Sequence, residues 1–383
     1  MFKFFLSVFF VHIFLVFGSE KIETRKINPP KLSQSNLGQR ILCYRPMRRG
    51  SPNISIEQKY GKVIANNYGH GDSCWTLAPG SAEHIVNLIV TSQYGKDFNK
   101  ETSITIIGAG AIGLLVAYEL HSKGYHNITM VSDNFDSVTS HISGGLVAPS
   151  SLDSDSQTQK DIYKMGFKAY IFYKSIAEKK HPFFTDGAII LSAYFESRKD
   201  SGLEPYVGVV MEPAKDVVLD FCNGTTRKMV AYDDAVYIDT EKLMRLIKSY
   251  LKKNNIKFIK KKIKMFSEIG DKFIINCAGF GSKELGIDEK LIPVQGHFIM
   301  LKNQIPNHLN YIIVANISEG VTRCGQKVKR LVTFGPKHLP NTGVNDVGMI
   351  GSTFVEGATD LTPNHEEFNI IPKNISRFVD KNS

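Results

Sequence analysis

Three glycines in the run Gly108-Ala109-Gly110-Ala111-Ile112-Gly113 mark the place where this sequence is best equipped for chemistry. A β-branched segment, residues 104–107, leads into them, and an apolar helical segment follows to about Leu120. Each glycine has a physical task. The first permits a sharp turn, the second lets a pyrophosphate approach the backbone, and the third lets helix and strand pack closely. The helix start adds free N–H groups and the positive end of its dipole. A second strand-like segment, residues 128–131, ends just before Asp133, about 20 residues on, where an acid accepts a hydrogen bond from a ribose hydroxyl. These features predict a βαβ dinucleotide-binding unit, and they fit NAD and FAD alike.

Composition narrows the setting. The chain has 383 residues, 42% hydrophobic and 22% charged, which excludes disorder, collagen and coiled coil. Its net charge of +10 comes mostly from lysine, in runs such as 252–253 and 260–262. No arginine-rich arm or aromatic–basic interleaving accompanies them, so the reading is a solvated basic surface and no nucleic-acid partner. Five cysteines, at 43, 74, 222, 277 and 324, are scattered without a C-x-x-C pair, and no metal site is expected. His70 and Cys74 read as a structural histidine and an unreactive thiol, and Cys277 as core. Residues 1–19 place Lys3 before an apolar run, residues 4–17, and end on Gly18-Ser19. That is the pattern of a secretory signal peptide. It predicts a secreted, periplasmic or secretory-lumen protein that touches membrane only through this segment, if uncleaved.

The elements that must position the glycine turn follow from periodicity and breakers. Residues 21–39 read as a loose polar lead-in, and residues 52–66 as two strands around a polar turn. Residues 81–90 have helical spacing with Ser81 as the cap, and a polar connector runs from 92 to 102. Residues 161–180 and 240–254 predict helices, and 186–238 an antiparallel sheet. A further parallel strand is expected from residue 256, and a buried one at 272–276 running into a glycine turn.

Several segments resemble the FAD-dependent D-amino-acid oxidase family. Thr139 and Ser140 match its hydroxyl-rich loop, and Gly144-Gly145-Leu146-Val147-Ala148-Pro149 its run beneath the flavin. Asn276-Cys277-Ala278-Gly279, Pro293-Val294-Gln295-Gly296-His297 and Gly351-Ser352-Thr353-Phe354 are similar to later family segments. The family's closing Arg-Pro and flavin-wrapping segments lie near the N-terminus here, as Cys43-Tyr44-Arg45-Pro46 and Asn67-Tyr68-Gly69-His70-Gly71-Asp72-Ser73-Cys74-Trp75-Thr76. The order therefore looks circularly permuted.

The resemblance implies an α/β fold: a Rossmann-like, doubly wound FAD-binding sheet with an antiparallel substrate-binding sheet. After residues 1–19, residues 20–383 would form a single unit. Its FAD-binding part is expected from 21–150 and 240–290, and its substrate part from 150–240 and 290–355. The implied cofactor is FAD, contacted by Gly108, Ala109, Gly110, Ala111, Ile112, Gly113, Asp133, Asn134, Thr139, Ser140, Gly145, Ile263 and Gly279. The second loop adds Gly71, Asp72, Ser73, Cys74, Trp75 and Thr76. The implied activity is oxidation of an amine or amino acid by hydride transfer to flavin, with oxygen as acceptor. Arg45 would clamp the substrate carboxylate, against an equal reading as a structural arginine, and Asp72 would lie on the substrate side. The sequence departs from the family where Gly71-Asp72-Ser73-Cys74 replaces a glycine-rich run, and where residues 320–334 carry no tyrosine. An FAD-binding protein without turnover is the competing reading, and an NAD-dependent dehydrogenase a weaker one.

Overall fold

The computed structural model of the chain describes residues 22–149, 156–286, 288–305, 307–323, 325–339, 343, 345–358 and 365–380. The apolar segment at residues 1–19 and Cys324 lie outside the described residues. The chain opens with β1 (Glu23–Lys26), β2 (Leu37–Arg48), β3 (Asn53–Lys59), β4 (Lys62–Tyr68) and α1 (Cys74–Thr91). The βαβ unit follows as β5 (Ile104–Ile107), α2 (Ala111–Ser122) and β6 (Ile128–Ser132). The short α3 (Thr139–Ile142) and long α4 (Ser156–Ala177) lead to β7 (Ala188–Phe195), β8 (Lys215–Asp220) and β9 (Thr226–Ile238). Then come α5 (Thr240–Lys253), β10 (Lys257–Lys260), β11 (Phe273–Asn276) and α6 (Ser282–Gly286). The last elements are β12 (Leu291–Leu301), β13 (Tyr311–Val321), β14 (Lys327–Gly335), β15 (Met349–Glu356) and α7 (His365–Val379).

The strands form two sheets. The six-stranded sheet runs β10-β6-β5-β11-β4-β3, parallel except for its edge strand β3. On β5, Ile104 and Ile106 join the helical core with Ala82, Ile85 and Val86 of α1 and Leu114 and Leu115 of α2. Ile107 faces the other way, toward Ile64, Val131, Ile274 and Phe266. Opposite-facing neighbours are what the pleat imposes on a strand buried on both faces.

The nine-stranded sheet runs β1-β8-β9-β7-β13-β14-β15-β12-β2. It is mixed rather than purely antiparallel, because β1 pairs with β8, and β13 with β7, in parallel. One face packs on α7, where Val332, Phe334 and Ile350 meet Phe368, Ile371 and Ile375. Arg330 on the same face holds Glu367 through two hydrogen bonds of 2.8 and 2.7 Å.

Three expectations change in the structure. Residues 23–26 are not loose: β1 extends the sheet edge, fixed by an ion pair from Arg25 to Asp233. Strands β1 and β2 pair in the nine-stranded sheet, not with the dinucleotide-binding strands. Helix α1 begins at Cys74, so Ser81 is buried inside it, where its Oγ accepts from Asn67 Nδ2 at 3.2 Å. Pro79 lies inside the helix as well. Proline lacks the N–H that would reach back to the Trp75 carbonyl. The Tyr173 hydroxyl donates to that carbonyl instead, at 2.8 Å, and the helix continues through the proline.

Candidate active site

The glycine turn is built as its spacing demands. Gly108 has φ +105°, and a Cβ there would stand 2.3 Å from the Cys277 carbonyl oxygen at the end of β11. A Cβ on Gly113 would stand 2.1 Å from the Gly108 oxygen. Helix α2 can approach the strand ends only because both positions lack side chains. Gly110 gives α2 no side-chain cap, but Ser140 Oγ, from α3, accepts from the Ala111 N–H at 3.0 Å. Asp133 is exposed on the cleft wall just beyond β6.

The second wall comes from the loop between β4 and α1. Gly69 and Gly71 take positive φ of 86° and 56°, turning the chain toward the first residues of α1. The loop is tied to β2 by a bridge between Met47 and His70, and by the Arg48 N–H donating to the Gly69 carbonyl at 3.2 Å. Trp75 is buried and donates from Nε1 to the Ser140 carbonyl at 2.9 Å. The loop and α3 are thereby fixed to each other. His70 is 1% exposed, and neither ring nitrogen has a partner. Burial pushes its pKa down to about 3, so it is a neutral packing residue. Burial and then the Asp72 carboxylate push the Cys74 thiol up to about 12, which keeps it protonated.

Beneath the cleft, buried Lys337 donates to the Ser143 carbonyl and to Thr240 Oγ1, each at 2.7 Å. Its pKa is lowered to about 8 by burial. With the His141–Glu241 contact, it anchors the segment after α3 to the start of α5. Thr139 Oγ1 donates to the Tyr44 carbonyl at 3.2 Å and joins the same segment to β2.

The nine-stranded sheet supplies the charged wall. Arg45 stands on β2 opposite Val294 of β12. Its Nε lies 2.6 Å from Asp72 Oδ1, and its Nη1 donates to the Thr353 carbonyl at 3.0 Å. The guanidinium lies 4.2 Å from the Phe354 ring centroid. A Cβ at Gly296 would come within 2.3 Å of Nη1, so a side chain there would displace the guanidinium from its present place. Burial disfavours the Arg45 charge, but the Asp72 carboxylate reverses the effect and leaves its pKa raised. Behind it, the His297 N–H donates to Thr353 Oγ1 at 3.1 Å, and that hydroxyl lies 2.7 Å from Nδ1 of the same buried ring.

One cleft of about 1470 Å³ joins these walls. Gly108, Ala109, Gly110, Ala111 and Ile112 line it, with Asp133, Asn134, Thr139, Ser140, Gly145 and Gly279. So do Arg45, Gly71, Asp72 and Cys74. Gly113, Ser73, Trp75 and Thr76 are buried and do not line it. Ile263 packs in the cluster with Val131, Phe266 and Ile269 instead of lining the cleft. The sequence reading did not include Phe195, Lys199, Asp200, Glu319, Lys327 and Lys329, which line the far end. They carry no local signature. Among the described residues, no group of His, Cys, Asp and Glu is placed to hold a metal ion.

The residues present fit a flavin dinucleotide. Backbone approaches close at Gly108 and Gly113, the α2 start opens on the cleft, and Asp133 lines the cleft just past β6, where an acid of such a unit would meet a ribose. The volume exceeds the ~300–1,000 Å³ of an ordinary small-ligand pocket, which leaves room for a substrate beside the dinucleotide.

Comparison with known proteins gives a consistent result. The model of the family described as FAD dependent oxidoreductase matches residues 103–381. Glycine oxidase from Bacillus cereus is similar in structure, with a TM-score of 0.52, 13% identity, and coverage of 72% of this chain and 79% of that one. Glycine oxidase from Geobacillus kaustophilus gives 0.51 and 13%, covering 73% and 78%. Iminodiacetate oxidase from Chelativorans sp. BNC1 gives 0.50 and 13%, covering 72% and 78%. At such identities the likeness is one of fold.

Two outcomes follow from the geometry. Gly113→Ala places a methyl group against the Gly108 carbonyl, so despite alanine's better helix propensity it is expected to cost about 1–3 kcal/mol. Urea unfolding of the protein freed of dinucleotide, together with the FAD retained after gel filtration, checks this; unchanged values for both would contradict it. The second outcome concerns acid. His70 has a folded pKa of about 3 against an ordinary 6.5. Below pH 6.5 the unfolded chain takes up a proton that the folded chain refuses, so stability falls as pH drops from 6.5 toward 3. Between pH 6.5 and pH 5, His70→Leu should lose about 2 kcal/mol less than the parent, as read from urea midpoints.

Proposed function

The chain belongs to the FAD-dependent oxidoreductase family, and on that premise we propose that it oxidises the carbon–nitrogen bond of a small amine or amino acid with oxygen as the final acceptor. It is an enzyme, and its cofactor is FAD. The observation that carries the proposal is the single cleft in which a dinucleotide cradle and the Arg45–Asp72 pair share one space. Glycine and iminodiacetate, for which the similar oxidases are named, both carry an amine nitrogen.

When bound, FAD would supply a two-electron acceptor for the hydride on the amine-bearing carbon, the nitrogen lone pair forming the C=N bond of the iminium product, and oxygen would take those two electrons and two protons to give hydrogen peroxide. The chain's own residues do the rest. The amides at the start of α2 and the side-chain-free backbone at Gly110 would hold the phosphates, and the Asp133 carboxylate would accept from ribose hydroxyls. Ser140, held by Trp75, keeps the α2 start in place. Phe195, Val328 and Phe354 line the substrate end and exclude water from it. No side chain needs to remove a proton when the amine binds in its neutral form.

The flavin spectrum tests this. Anaerobic addition of a suitable amine or amino acid should bleach the visible band of the holoenzyme, and air should restore it with one peroxide released per flavin. A band that stays oxidised against a broad panel of D- and L-amino acids and amines would sink the reading.

The same reading extends to chain order, which we take to be a circular permutation of the family's usual one. Two observations support it. The family match covers residues 103–381 and leaves β1 to α1 outside it. Both described ends converge on the turn between β8 and β9: the Ile27 N–H donates to the Asp220 carbonyl at 3.0 Å, and Asn223 Nδ2 to the Val379 carbonyl at 2.9 Å. A chain running 99–380, a short Gly/Ser linker, then 22–98 should fold and retain FAD to the parent's stoichiometry. Failure of that chain to bind FAD, with other linkers tried, argues against the permutation.

A further inference from the structure

The cleft lining contains nine charged residues besides Arg45, and all of them are exposed: Asp72, Asp133, Glu196, Lys199, Asp200, Glu319, Lys327, Lys329 and Glu356. Arg45 is therefore the one sheltered charge on the lining among the described residues. It is already answered from within the chain. Asp72 takes the Nε edge at 2.6 Å, and the Thr353 carbonyl takes Nη1 at 3.0 Å. The Phe354 ring and the Gly296 backbone both pack close to it. The Asp72 side chain keeps 43% of its surface exposed where it lines the cleft. An anion arriving here meets a neutralised guanidinium and a carboxylate in front of it. A cation meets the exposed oxygen of a carboxylate whose partner charge lies sheltered beneath it.

We propose that Asp72 is a built-in counter-anion that occupies Arg45 and selects a substrate bringing an amine, with no carboxylate group, beside this pair. The proposal rests on the amine-oxidation reading and narrows its substrate class. Asp72 is a specificity-determining residue in it: its carboxylate holds the place an α-carboxylate would take and draws an ammonium or amine toward the wall.

The test uses holoenzyme of the parent, of Asp72→Asn, which keeps side-chain shape and an acceptor oxygen, and of the double variant Arg45→Met/Asp72→Asn. Circular dichroism confirms that each folds. Propionate, which cannot be oxidised at nitrogen, is titrated against the visible flavin band to read binding alone. Ethylamine, 2-phenylethylamine, and both enantiomers of alanine and phenylalanine are compared by anaerobic bleaching. In the parent the carboxylate-free amines should bleach faster than their amino-acid counterparts, and propionate should bind weakly. In Asp72→Asn, propionate should bind about tenfold to a hundredfold more tightly, the worth of a hydrogen bond to a charged group, and preference should move toward the amino acids. The gain should vanish in the double variant.

Propionate affinities within twofold between parent and Asp72→Asn overturn the proposal, as does a parent that prefers alanine to ethylamine. A gain that persists without Arg45 overturns it as well. If nothing bleaches any of the proteins, the amine-oxidation reading falls, and the propionate titration still separates a working counter-anion from an idle one.

Discussion

Strand β11 is four residues long, fully buried, and hydrogen-bonded in parallel on both sides, to β5 and to β4. That double pairing is the constraint on which the site depends. It sets the strand that ends at Gly108 one place removed from the strand that leads to Gly71. Both turns therefore open at the same edge of the sheet, where ligands of open parallel sheets bind. The Cys277 carbonyl, just past β11, is also the surface against which the glycine at 108 must fit. A short strand thus fixes both the separation of the two cofactor walls and the side-chain-free approach between them.

Arg45 shows a different kind of dependence. Its charge is tolerable because four elements converge on it: β2 carries it, the loop before α1 supplies Asp72, and β12 and β15 supply Gly296, Thr353 and Phe354. A buried cation without such partners would cost several kcal/mol. The same convergence joins the nine-stranded sheet to the dinucleotide-binding part, so the chemistry of the cleft and the docking of the two sheets share one ion pair.

Much of the frame was legible in the sequence because its signals are local. The β-branched run before Gly108, the glycine spacing and the acid at 133 all lie within one βαβ unit, and α2 and β6 formed where that pattern put them. The elements that escaped are those whose reasons are distant. Pro79 reads as a helix breaker until Tyr173, from α4, meets the carbonyl it leaves open. Glu23–Lys26 is too short and too charged to read as a strand until Asp233 holds Arg25. The Arg45–Asp72 pair has no local trace at all, since it exists only after the Met47–His70 bridge brings β2 against the loop.

One further consequence follows from Trp75, the only tryptophan in the chain. Its indole is buried, donates to the Ser140 carbonyl, and sits on the same short helical turn as the loop that walls the cleft. Ultraviolet emission from this protein therefore arises, beyond its tyrosines, from a single fluorophore one residue away from Cys74 on the cleft wall. Because that indole is bonded to the Ser140 carbonyl, its emission reports the joint between the start of α1 and α3, two elements that border the cleft.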